Sequence, residues 1–86
     1  MLAVFYIFFK KGIFMITTLD VARFRMLLIE ELIFEYNLDE RKAELTLKSS
    51  VVNKMLNKSP DFIMHYSIED NTREIYDEYC GIPYKV

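Results

Sequence analysis

The chain has 86 residues, 52% of them hydrophobic, including seven Phe and six Tyr but no Trp; that apolar content excludes a disordered segment, and the length excludes more than one ordinary domain. A formal charge of -2 excludes a nucleic-acid binder recognisable by net charge alone. The single Cys excludes an internal disulfide and fits an expected cytoplasmic location.

Residues 1–16, MLAVFYIFFKKGIFMI, open with an apolar run that meets no charge until Lys10 and Lys11. The run is far shorter than the ~20 apolar residues a membrane span needs. Its positive charges follow the apolar stretch, whereas a secretory signal places them before it. Lys10-Lys11-Gly12 must be encoded by a purine-rich string like a bacterial ribosome-binding site, with the two codons of Ile13 and Phe14 between it and Met15. The expectation is that Met15 is the start, with residues 1–14 an over-extended reading frame or a tail, and that residues 15–86 form one helical domain.

Asp20 to Tyr36, DVARFRMLLIEELIFEY, is the longest stretch with helical periodicity. At ~100° per residue, Val21, Ala22, Phe24, Met26, Leu28, Ile29, Leu32, Ile33 and Tyr36 fill one broad apolar face. Arg23, Glu30 and Glu31 fall opposite. Thr17 and Asp20 have capping-box spacing, and Asn37 suits a left-handed terminator. Arg25 interrupts the apolar face: either its stem lies over the core edge with its head in water, or it pairs with an acid of the last helix. Leu27 and Phe34, one heptad apart, sit among the charges. They are expected to meet a second copy of the chain or its own last helix.

Asp39 is a good N-cap with Leu38 as a staple before it, so Glu40 to Lys48 reads as a second helix. Ser49 or Ser50 caps a third carrying Val51, Val52, Met55 and Leu56 on one face. Asn57 to Asp61 is turn chemistry, and Phe62 to Tyr66 is expected to be extended. Ser67 and Asp70 repeat the capping-box spacing ahead of a last helix from Ile68 to about Tyr79. Its expected inner face is Ile68, Thr72, Ile75, Tyr76 and Tyr79; Glu69, Asp70, Glu74, Asp77 and Glu78 make an acidic outer surface. Gly81 fits the position after the helix, with Pro83 beyond it. With only two Gly and two Pro, the expected fold is all-α: a small bundle of one long, two short and one C-terminal helix, with a short extended segment near 62–66.

Charge alternates along the chain. Residues 17–40 hold two arginines against six acids, residues 41–58 five basic residues against Glu44, and residues 59–80 Arg73 against six acids. This reads as complementarity between helices. Catalytic chemistry needs positioned nucleophiles, bases or metals, and the inventory is thin. His65 and Cys80 are the only residues of their kinds. They could form a nucleophile pair, but the plainer reading is a linker histidine and a small apolar cysteine near a helix end. Glu74 and Glu78 lie one turn apart, as paired carboxylates of a metal site would, yet no His-containing motif accompanies them, and a solvated acidic face is the plainer reading. No cofactor, metal or catalytic residue is called for.

From Glu30 to Gly81 the order of segments carries a further signal. NLDERKAELTLKSS leads to VVNKML, then to a Pro-containing turn, then through Tyr66-Ser67 into IEDNTREIYDEY. On Leu47, Ser49, Lys54, Leu56, Pro60, Ser67 and Tyr76 the chain resembles small helical proteins of unassigned function from gut bacteria. It departs from them in having Tyr66-Ser67-Ile68 where they often carry a Ser-Pro pair, and in its acidic last helix. Such proteins are often encoded beside ADP-ribosyltransferase-like toxins, so the resemblance implies an antitoxin-like or accessory role.

The expected function is therefore non-enzymatic protein–protein interaction. The partner is a toxin encoded nearby or a second copy, met through Leu27, Phe34, Glu74, Asp77 and Glu78. Protein is expected as the partner ahead of nucleic acid or membrane. The alternative is a small DNA-binding transcriptional regulator using the basic 41–58 segment.

Overall fold

The computed structural model describes residues 16–81, and the expectations for residues 1–14 and for the tail from Ile82 fall outside them. Among the described residues there are five helices and no strand: α1 (Thr18–Tyr36), α2 (Glu40–Lys48), α3 (Val51–Lys58), α4 (Pro60–Met64) and α5 (Ile68–Tyr79). The all-α class read from composition and periodicity holds.

Local polar chemistry places most of the boundaries. Thr17 caps α1: its hydroxyl accepts from the Asp20 N–H at 3.1 Å, and the Asp20 carboxylate accepts from the Thr17 N–H at 3.0 Å. The helix thus starts two residues before the periodic stretch. Asn37 ends it at φ 59°, a left-handed conformation that Asn tolerates better than most residues. The N–H of Leu38 then bonds back to the Leu32 carbonyl at 3.3 Å. Asp39 caps α2 through the Lys42 N–H at 2.8 Å.

Of the two serines offered as caps for α3, Ser50 takes the role. Its buried hydroxyl accepts from the Asn53 N–H at 3.0 Å and donates to the Leu47 carbonyl at 2.7 Å, joining the end of α2 to the start of α3. Ser67 caps α5 through the Asp70 N–H at 3.0 Å. Only this half of the expected box forms, because the Asp70 carboxylate turns to Arg73. After α5, Gly81 lies at φ 91°, a conformation that glycine adopts without cost from a Cβ.

Residues 60–66 differ from expectation. Pro60 to Met64 is a short helix with Pro at its start, and α3 runs on to Lys58, so the turn shrinks to Ser59. A helix this short does not stand on its own hydrogen bonds. Asn71, buried on α5, holds it: the side-chain amide donates to the Ile63 carbonyl at 3.0 Å and to the Ser67 carbonyl at 3.1 Å. The end of α4 is thereby fixed from the next helix.

The core is Phe24, Leu28, Leu32, Leu38, Ala43, Leu47, Val52, Leu56, Ile63 and Ile75. The inner side of α1 packs on α5 and α2, α3 packs on α4, and α5 also touches α2 and α3. The buried line of α1 is Phe24-Leu28-Leu32, narrower than the sequence face; Ala22 and Met26 lie outside it and are exposed. On α5 the buried residues are Asn71, Thr72 and Ile75, while Tyr79 is exposed. No helix among the described residues is long and apolar enough to cross a membrane.

Candidate interaction surface

A helix that packs on one side needs one apolar stripe, and α1 has more than one. Leu19 is 55% exposed, Met26 60%, Leu27 48% and Phe34 77%. On the ~100° wheel all four point away from Leu28, within one outward half of the helix. Ile29 and Ile33, half-buried against the core, border this half. Between the apolar members stand Arg23 and Glu30, both exposed. Among the described residues neither of these charges takes part in an ion pair or a side-chain hydrogen bond. A few isolated apolar residues on a surface are ordinary. Four large ones on one side of one helix, set around Arg23 and Glu30, make a mixed face of the kind an interface uses.

Of the two explanations offered for Arg25, the ion pair needs correction: among the described residues its half-buried side chain meets no acid of the last helix. Nε donates to the Asn53 Oδ1 at 2.8 Å, and a second nitrogen donates to the Asn57 side chain. Two neutral amides on α3 thus hold the charge, and α1 is braced against α3. Asn53 and Asn57 are one turn apart on α3, which lets one guanidinium bridge both.

The five residues assigned to partner contact fall in two places. Leu27 and Phe34 share the outward side of α1, and the last helix does not cover either of them. Glu74, Asp77 and Glu78 lie on α5 and are half-buried, not fully solvated. Glu78 is engaged within the chain, where its Oε1 accepts from the Val51 N–H at 2.9 Å. That N–H is one of the unpaired donors at the start of α3, where a negative charge is favourable. Sequence reading missed Leu19 and Met26, the first because the helix was started after it and the second because it was placed on the core face.

Where α1 ends against the start of α5, Glu31, Glu35, Tyr36, Glu69 and Arg73 line an open cleft of about 290 Å³. Partial burial, then the nearby Glu35 and Glu69 carboxylates, push the Glu31 carboxyl up from its ordinary value. The hydrogen bond from Arg73, foremost, holds the Asp70 carboxyl below its ordinary value. Tyr36 stacks on Tyr76 with ring centroids 4.3 Å apart and planes at 24°, and burial foremost raises the Tyr36 phenol. The neighbouring Cys80 thiol, foremost, raises that of Tyr76.

No group of three or more His, Cys, Asp or Glu suited to a metal ion occurs among the described residues. His65 closes α4 and Cys80 closes α5, and both are exposed; the histidine is therefore more open than a partly buried linker residue. No family model, curated protein or solved structure matches the chain.

Proposed function

We propose that this chain is a non-enzymatic protein–protein interaction module whose binding surface is the outward side of α1. The observation that carries the reading is the exposure of Leu19, Met26, Leu27 and Phe34 on a helix whose opposite side already supplies the core. Covering such side chains removes apolar area from water at ~25 cal/mol per Å², and aromatic anchors such as Phe34 are the usual contributors to an interface. Resemblance to proteins encoded beside ADP-ribosyltransferase-like toxins supports an antitoxin-like or accessory role for the module.

Co-expression with the products of adjacent genes tests this. The wild type should co-purify with one of them, and a Leu27→Glu, Phe34→Glu double variant that remains helical should not. Equal recovery with both proteins would remove the α1 surface from the interaction.

A second reading has one specific observation behind it. Arg41, Lys42, Lys48, Lys54 and Lys58 are all exposed on α2 and α3, available to phosphates. A regulator of this kind would shift duplex DNA with an affinity that falls steeply as salt rises. No shift at low salt would dispose of it.

A further inference from the structure

We infer that the outward side of α1 pairs with the same helix of a second copy, antiparallel, about a twofold axis level with the Met26–Leu27 step. The inference rests on the reading of α1 as an interaction surface and names its occupant.

Charge order along the helix is the argument. Arg23 and Glu30 are seven residues apart, about 10.5 Å along the axis and within about 20° of each other around it. They lie in the same exposed side as the unpartnered apolar residues. A twofold interface is self-complementary: if one residue meets another across it, the reverse contact also forms. With the axis midway between Arg23 and Glu30, each Arg23 comes level with the Glu30 of the other copy, on the same flank, and two opposite-charge pairs form at once.

The same operation brings Leu19 level with Phe34 of the other copy and places Met26 and Leu27 at the centre, beside their own counterparts. A parallel pairing would set Arg23 beside Arg23 and Glu30 beside Glu30, an arrangement that like charges oppose.

Single charge reversals and their mixture test the register, using the full chain. Sedimentation of the wild type should show a monomer–dimer equilibrium. Arg23→Glu alone and Glu30→Arg alone should each place like charges at both pairing points and weaken self-association about tenfold or more, with helical content unchanged by circular dichroism. An equimolar mixture of the two variants should associate again, because each then supplies the sign the other lacks. The Arg23→Glu, Glu30→Arg double variant should behave as the wild type.

A wild type that stays monomeric, or single variants that associate as the wild type does, would overturn the antiparallel twofold. If the wild type is monomeric and yet loses a heterologous partner on Leu27→Glu, Phe34→Glu substitution, this inference fails while the broader interaction reading stands. If that variant loses nothing, both fail.

Discussion

The two sides of α1 carry the same kinds of residue and meet opposite fates. Phe24, Leu28 and Leu32 point inward and are buried; Leu19, Met26, Leu27 and Phe34 point outward and are exposed. Hydropathy does not separate them, since each side has leucine and phenylalanine. Position relative to α2 and α5 does. The lesson is that an apolar residue in a short chain reports a surface to be covered, and only the packing shows whether the chain covers it itself.

The largest effect expected from that contrast is on the inner side. Leu28→Ala removes a fully buried side chain and should lower stability by about 2–5 kcal/mol, whereas Leu27→Ala, one residue along, should fall within about 0.5 kcal/mol in the monomer. Urea unfolding at low protein concentration reads both. Similar losses at the two positions would mean that the outward side is packed within the chain.

Next comes Asn71→Ala. It strips the side-chain donors from the Ile63 and Ser67 carbonyls and should cost about 1–3 kcal/mol. Faster amide exchange confined to residues 60–66 would locate the loss at α4, and unchanged exchange there would show that α4 is held by something else. Ser50→Ala should cost about 0.5–2 kcal/mol, because one hydroxyl serves both α2 and α3.

The smallest expected effects concern pH, and they have opposite signs. The folded-state value of Asp70 is lowered, so its contribution to stability is present above the unfolded value and is lost as pH falls through the folded one. The folded-state value of Glu31 is raised, so its contribution is full below the unfolded value and is lost as pH rises through the folded one. Asp70→Asn should therefore lower the melting midpoint at neutral pH, and Glu31→Gln should raise it. Both differences should shrink on acidification, and thermal melts across the carboxylate range would show whether the signs hold.

How much of this was legible in the sequence follows the range of the interactions. The roles of Thr17, Asn37, Asp39, Ser67 and Gly81 depend on bonds within a few residues, so side-chain type and spacing were enough to find them, and they narrowed the α3 cap to Ser49 or Ser50. Arg25 reaches Asn53 and Asn57, Glu78 reaches Val51, and Asn71 fixes a helix that precedes its own. No local pattern announces such partners. Phe62 to Tyr66 read as extended because five apolar or aromatic residues carry no helical period; Pro60 was the available signal of a helix start, and its weight depends on the distant Asn71. At the surface, Leu27 and Phe34 could be singled out because charges surround them on the wheel. Met26 could not, because the broad apolar arc of α1 does not reveal which part its neighbours will cover.

The most direct test of the central claim, that the outward side of α1 serves association and not folding, is sedimentation of the wild type beside the Leu27→Glu, Phe34→Glu variant, with a thermal melt of each. The account predicts a self-associating wild type and a double variant that is monomeric, fully helical and melts in one cooperative transition. A double variant that loses its cooperative transition with no change in association state would contradict it, and would place Leu27 and Phe34 in the core of the chain itself.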